Sequence, residues 1–143
     1  MFLRCTICGA SNALPASRLI ALPRCVRCRQ PVPAPAVALV TDAAELAEVT
    51  RDAPWPVLID LWSSEGVPGA GRDVARELDT LARRHQGHLL VLKVNVAQVP
   101  DLLQQLQVSI LPTFLLYDHG REIRRLAGLA DAARLESALI KAA

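Results

Sequence analysis

The chain has 143 residues, 52% of them hydrophobic and 21% charged, with a net charge of +2 and four cysteines. This length fits one domain, or a small module followed by a domain of about 100 residues, and the composition is that of a globular protein. No apolar run approaches the roughly 20 residues of a membrane-spanning helix, and the N-terminus lacks the apolar stretch of a signal peptide. We therefore expect a cytoplasmic protein without a membrane partner.

The cysteines form two Cys-x-x-Cys pairs within the first 28 residues, Cys5 with Cys8 and Cys25 with Cys28. Each pair can form a tight turn that directs two sulfurs to one metal ion, and Gly9 suits the positive φ that such turns often need. Four thiolates complete a tetrahedral shell, so the spacing predicts one structural zinc ion. Iron in the same shell, two disulfides, or a zinc site that oxidation empties are the alternatives.

The first 36 residues differ in composition from the rest. Residues 1–41 contain five arginines and no acidic residue. A solvated basic surface is the plainer interpretation, and docking of nucleic acid or an acidic partner is the less favoured one. Proline at alternate positions from residue 31 to 35 favours an extended linker. We therefore divide the chain into a zinc ribbon at 1–29, a linker at 30–36 and a domain at 37–143.

The domain alternates strand patterns with helix patterns. The predicted elements, in chain order, are a strand at 37–40, a helix capped by Asp42 and Glu45 that runs to about residue 49, a loop at 51–56, a buried strand at 57–62, a glycine-rich loop at 63–71, a helix at 72–84, a strand at 89–96, a short helix at 100–106, a hairpin with strands at 113–117 and 122–126, and a final helix capped by Asp131. This order predicts a mixed α/β sheet with helices on both faces.

Five parts of the domain are similar to one known family: Val57–Trp62, Lys93–Asn95, Ser109–Thr113, Tyr117–Gly120 and Gly128. They resemble thioredoxin, and with the four-cysteine segment in front the whole chain resembles the type 2 thioredoxins, in which a zinc ribbon precedes the thioredoxin fold. The resemblance implies a thioredoxin-like α/β fold, with a mixed central sheet and helices on both faces.

The resemblance breaks at the redox site of the family, which places Trp-Cys-Gly-Pro-Cys at the end of the central strand. Here Trp62 is followed by Ser-Ser-Glu-Gly-Val-Pro-Gly-Ala-Gly. Counting forward from Trp62 puts the two cysteine positions at Gly66 and Gly69, whereas counting back from the following helix puts them at Pro68 and Gly71. Neither register supplies a thiol, and thiol–disulfide exchange needs an attacking thiolate and a resolving thiol. We therefore predict a redox-inactive site and no enzyme of thioredoxin type.

Other features of the family site are present. By resemblance, Asp60 and Lys93 form a buried charged pair behind the redox site, and desolvation is expected to raise the pKa of Asp60. The resemblance also implies a groove that accepts an extended peptide, with a cis peptide bond at Pro112. We call it the candidate groove, and its residues are Trp62, Leu111, Pro112 and Gly128.

These residues predict a redox-inactive thioredoxin-like protein that binds proteins or extended peptides, as a chaperone, adaptor or scaffold. The first alternative is a thiol–disulfide oxidoreductase that uses the ribbon cysteines or senses through them. The second is docking of nucleic acid or an acidic partner through the basic ribbon. The identity of the partner and the oligomeric state are not predicted.

Overall fold

The computed structural model of the chain describes residues 1–5, 7–21, 23–32, 37–64, 70–85 and 87–141. Within these residues seven strands form one mixed sheet, in the order β2-β1-β3-β5-β4-β6-β7. The strands are β1 (Phe2–Arg4), β2 (Ser11–Ala13), β3 (Ala38–Leu39), β4 (Val57–Trp62), β5 (Leu90–Asn95), β6 (Thr113–Asp118) and β7 (Arg121–Ala127). The helices are α1 (Ala43–Asp52), α2 (Ala70–Arg84), α3 (Asp101–Gln105) and α4 (Ala132–Leu135), with a 3-10 helix at Ala16–Ala21 and a π-helical turn at Glu136–Ile140 after α4.

The central strand is β4, which pairs in parallel with β5 and antiparallel with β6. Its side chains are buried on both faces of the sheet: Ile59 belongs to one core and Leu58 to the other. A strand enclosed in this way requires a nearly continuous apolar run, because neither face meets water. The run from Val57 to Trp62 meets this requirement, and the strand has the predicted bounds.

Helices cover both faces, which confirms the predicted mixed α/β architecture. Buried residues of α1 and α3 lie in one core, and those of α2 and α4 lie in the other. In α2, Leu78 and Leu81 are buried three residues apart, the spacing of one helix face. The Asp42 carboxylate accepts a hydrogen bond from the Glu45 N–H at 2.7 Å and caps α1, and Asp131 caps α4 in the same way. Both caps were predicted from the sequence.

Two helices are longer than predicted. The helix α1 continues to Asp52, because the Ala53 N–H still donates to the Val49 carbonyl at 3.0 Å. It ends at Ala53, whose backbone is extended, as is favoured for a residue that precedes a proline. The helix α2 begins at Ala70, two residues before its predicted start, so Gly71 is helical rather than part of a loop.

The N-terminal segment shares the sheet of the domain. The strands β1 and β2 form an antiparallel hairpin, and β1 also pairs with β3, with Phe2 opposite Leu39. Leu3 is fully buried in the core that contains α1. The amino group of Met1 forms an ion pair with Glu45 of α1. The N-terminal segment is therefore attached to the domain by strand pairing, by the buried side chain of Leu3 and by the ion pair of Met1.

The predicted division at 1–29, 30–36 and 37–143 stays a prediction, because residues 33–36 of the linker lie outside the described residues. The parts on either side of the linker share one sheet and one core. Within the described part of the chain, no helix is both long enough and apolar enough to cross a membrane.

Candidate metal centre and candidate groove

The four cysteines predicted as metal ligands lie together, and we call them the cysteine cluster. Their sulfur atoms all lie within 4.8 Å of one another, and all four thiols are free. The Sγ atoms of Cys5 and Cys28 are 3.7 Å apart, and those of Cys8 and Cys25 are 3.6 Å apart. Zinc–sulfur bonds of about 2.3 Å in a tetrahedron place sulfurs about 3.8 Å apart, whereas a disulfide requires about 2.05 Å. The cluster therefore has the spacing of ligands and can hold one metal ion.

The two cysteine turns have the same backbone geometry. In each, the N–H two residues after the first cysteine donates to its sulfur at 3.4 Å. The N–H four residues after it donates to its carbonyl at 3.0 Å, and its own N–H donates to the carbonyl five residues on at 2.8 Å. The residue four positions after the first cysteine has a positive φ in both turns, 78° at Gly9 and 65° at Arg29. The sequence predicted Gly9 but gave no sign of Arg29, because arginine rarely adopts this conformation.

The thiols differ in acidity. A hydrogen bond from the backbone N–H of Cys28 lowers the pKa of Cys25 to about 6, against the effect of burial. For Cys28 itself a hydrogen bond from the Gln30 N–H has the same sign, but burial and the three neighbouring sulfurs outweigh it and raise the pKa to about 11. Sulfurs this close resist simultaneous ionisation because their charges repel. A bound cation removes that repulsion, which is why thiolate clusters favour metal ions.

The candidate groove residues meet at one end of the sheet. The pairing of β4 with β6 places Trp62, the last residue of β4, beside the loop that precedes β6. The Leu111–Pro112 peptide bond in that loop is cis, as the resemblance implied. The Gly128 N–H donates to the Pro112 carbonyl at 2.8 Å. The structure therefore brings the predicted groove residues together.

Large apolar side chains are exposed beside the cis proline. Ile110 is 55% exposed, Leu111 is 36% exposed, and Leu129, which follows Gly128, is 67% exposed. These side chains and Pro112 belong to two segments joined by the hydrogen bond from Gly128. Exposed apolar side chains grouped in this way are typical of a surface that contacts another molecule.

The predicted degenerate loop falls mostly outside the described residues. Three of its named residues lie there: Gly66, Pro68 and Gly69. The fourth, Gly71, lies in the first turn of α2, and the register of the loop stays a prediction. The described start of the loop is attached to β5, because the Ser64 N–H donates to the Asn95 side chain and the Asn95 amide donates to the Ser64 hydroxyl, both at 3.2 Å.

Asp60 is fully buried in β4, and its carboxyl oxygens have no hydrogen-bond partner among the described residues. Lys93 lies opposite it on β5, but this side chain is half-buried and its Nζ lies 5.0 Å from the centre of the Trp62 ring. Desolvation raises the pKa of Asp60 to about 7, although the charge of Lys93 acts in the other direction. Asp60 therefore has the raised pKa that the sequence predicted.

Two residues near these sites were not predicted. Asn12 is buried, and its amide lies 3.6 Å from the Cys25 sulfur. The Arg125 guanidinium donates to the carbonyls of Leu106 and Gln107, after α3 and before the cis proline, at 3.0 and 3.1 Å. Neither residue could be found from the sequence, because β2 is too short to predict and Arg125 is one of several arginines in β7.

Fold and site define an α/β protein with a four-thiol cluster joined to one edge of its sheet. The thioredoxin family model matches residues 36–141, and the chain belongs to the thioredoxin family. Thioredoxin 1 from a Nostoc species is 32% identical over 108 residues, covering 74% of this chain and 96% of that protein.

One further relative matches more of the chain, and one solved structure allows the folds to be compared. Thioredoxin C-3 from Corynebacterium nephridii is 25% identical over 136 residues and covers 95% of this chain and 91% of that protein, so the match extends into the cysteine-bearing segment. The crystal structure of a thioredoxin from Malassezia sympodialis superposes with a TM-score of 0.63 at 22% identity, covering 75% of this chain and 90% of that chain. At this identity the likeness confirms the predicted thioredoxin-like fold and no more.

Proposed function

We propose that this thioredoxin-family protein binds extended segments of other proteins in the candidate groove, without thiol–disulfide exchange. The observation that carries the proposal is the exposed apolar surface of Ile110, Leu111 and Leu129 beside Pro112, in a domain whose sequence contains no cysteine. Apolar contact and backbone hydrogen bonds to an extended chain need no sulfur. A chaperone, adaptor or scaffold role follows from such binding.

We also propose that the cysteine cluster holds one structural zinc ion. Four thiolates form a closed shell with no position left for a reacting water, so the ion stabilises the fold rather than taking part in a reaction. Sulfur spacings of 3.6 and 3.7 Å support this assignment. A cytoplasmic location agrees with it, because thiols stay reduced there. Metal analysis of the purified chain should give one zinc per molecule.

The groove is tested with an unfolded chain that has no free thiols, such as reduced and carboxymethylated lactalbumin. Leu129→Asp places a charge on the exposed apolar surface and should weaken binding about tenfold or more. Ile123→Asp makes the same chemical change at an exposed position of β7 and is the matched control. Equal binding by both variants and the unchanged protein would show that the groove is not the binding surface.

The absence of redox activity has its own test. Reduction of insulin by dithiothreitol should be no faster with the protein than without it. Acceleration that persists after the cluster is loaded with zinc would contradict the proposal. Acceleration only after zinc is removed would favour the alternative in which the ribbon cysteines exchange with disulfides. The sulfur contacts between Cys5 and Cys28 and between Cys8 and Cys25 would give such disulfides their pairing.

Docking through the N-terminal segment is the second candidate. Its five arginines are all exposed, as are the apolar side chains of Ile7 and Val26 at the cysteine turns. A basic surface of this kind binds nucleic acid or an acidic partner with strong salt dependence. Binding that Val26→Asp abolishes, that Leu129→Asp leaves unchanged and that high salt releases would favour this candidate over the groove.

A further inference from the structure

Asn12 occupies a buried position between the two cysteine turns. It is the central residue of β2. Since side chains alternate along a strand and both of its neighbours are exposed, its side chain points into the protein. Only 3% of the residue is exposed, so its amide has to find partners within the protein. The amide lies within hydrogen-bond distance of four groups, which divide between the β1–β2 hairpin and the second cysteine turn.

The hydrogen bonds fix the orientation of the amide. The Val26 N–H, in the second cysteine turn, donates to Asn12 at 2.8 Å, so the atom that accepts it is the oxygen Oδ1. The nitrogen Nδ2 then faces three acceptors: the carbonyls of Leu3 and Ala10 at 3.5 and 3.3 Å, and the Cys25 sulfur at 3.6 Å. The amide therefore donates towards a metal ligand and does not accept from it.

Asn12 also connects the two turns to each other. The Ala10 carbonyl, which accepts from Nδ2, is the same group that closes the first turn by accepting from the Cys5 N–H at 2.8 Å. The Val26 N–H follows directly after Cys25, the first ligand of the second turn. One side chain thus contacts the backbone of both turns and the sulfur of one ligand.

We propose that Asn12 is a positioning residue of the metal centre, which holds the two cysteine turns in register and donates a hydrogen bond to the Cys25 thiolate. This inference rests on the proposed zinc site. A donated hydrogen bond reduces the charge on a thiolate and fixes its direction, and partners of this kind commonly change metal affinity 10- to 100-fold when they are lost. The amide does this without adding a charge beside four thiolates.

Asn12→Asp separates the two roles of the side chain. The carboxylate keeps an oxygen for the Val26 N–H but has no hydrogen to donate, and it adds a negative charge beside the Cys25 thiolate. Ser11→Asp adds the same charge one residue away at an exposed position, and is the matched control. Both variants are prepared as the full chain loaded with zinc, at about pH 8, where a carboxyl group is ionised.

The measurement is the rate at which zinc passes to the chelator 4-(2-pyridylazo)resorcinol. The Asn12→Asp variant should release zinc about tenfold faster or more, and the Ser11→Asp variant should release it at nearly the original rate. The cadmium-113 resonance of the cadmium-loaded chain should move in the first variant and stay in the second. A role limited to accepting the hydrogen bond from the Val26 N–H would leave both the release rate and the resonance of the Asn12→Asp variant unchanged, because that acceptor is kept.

Each outcome decides a different question. If the protein without substitutions binds no zinc, the proposed metal centre is wrong, and the proposed role of Asn12 is wrong as well. Zinc bound one to one, with equal release from the unchanged protein and the Asn12→Asp variant, overturns the role of Asn12 alone. If the charged variant does not fold, Asn12→Ser replaces it. Equal release from that variant overturns the proposal, and faster release supports it.

Discussion

Burial of Asp60 should make the stability of the chain depend on pH. Desolvation in β4 raises its pKa to about 7, whereas its ordinary value, expected in the unfolded chain, is 3.8. The folded protein therefore binds this proton more tightly between these two pKa values. The resulting stability is fully present below about pH 4 and is lost as the pH rises towards 7. Since each pKa unit corresponds to about 1.36 kcal/mol, the ionised carboxylate costs the folded state about 4 kcal/mol at pH 8.

Asp60→Asn replaces the carboxyl group with a neutral amide of the same size. The free energy of unfolding is measured with urea at about pH 4.5 and about pH 8 for both proteins. The stability of the variant relative to the unchanged protein should rise by about 3 kcal/mol across this interval, because the unfolded carboxyl group is already largely ionised at about pH 4.5. Other titrating groups are common to both proteins and cancel in the difference. Asp79→Asn makes the same change at an exposed position of α2 and should shift stability by less than about 0.5 kcal/mol at either pH.

A difference that stays constant between the two pH values would refute this reasoning. The carboxyl carbon of Asp60 gives an independent check by NMR titration. A midpoint near the ordinary pKa of 3.8 would show that water or an unrecognised partner reaches the group.

Three further predictions concern other parts of the chain. Gly9→Ala should lower the free energy of unfolding of the metal-loaded chain by about 1 kcal/mol in urea, because a φ of 78° is costly for any residue with a Cβ although space is available. Arg125→Met should speed amide hydrogen exchange at residues 106–111, next to Pro112, because two hydrogen bonds to the end of α3 are lost. Unchanged exchange would show that these residues stay ordered without Arg125. Glu136→Gln should lower the melting temperature at neutral pH, because the hydrogen bond to His85 at 2.7 Å holds the pKa of Glu136 below its usual value. That effect should fade in acid as the carboxyl group takes up a proton, and a loss that persists there would point to packing instead.

Local patterns predicted the body of the fold well. The strand β4 has its predicted bounds because an apolar run between two turns leaves little freedom at either end. Asp42 and Asp131 were predicted as caps because a short acidic side chain directly before a helical pattern most often accepts a hydrogen bond from an N–H of the first turn. The start of α2 was placed too late because Ala70 and Gly71 follow a run of glycine and proline, and composition there favoured a loop over the helix.

Interactions between distant segments were not predictable in this way. The pairing of β1 with β3 joins residues far apart in the chain, and strands of two or three residues carry no detectable period. Arg29 adopts a positive φ because the second cysteine turn repeats the geometry of the first, which is visible only in three dimensions. The cysteine spacing predicted the cluster but not the side chain of Asn12, since a hydrogen bond to sulfur depends on how the hairpin folds over the second turn.

The position of β1 and β2 has a consequence for the solubility of the chain. They lie outside β3, so the exposed side chain of Leu39 does not stand on the open edge of the sheet. A free strand edge is a template for pairing with other copies, and very short outer strands resist such pairing. The outermost strand on this side of the sheet, β2, has only three residues. A chain whose first residues lose their fold would uncover the edge of β3 and the core that Leu3 fills, so damage at the cysteine cluster should lower the solubility of the chain together with its stability.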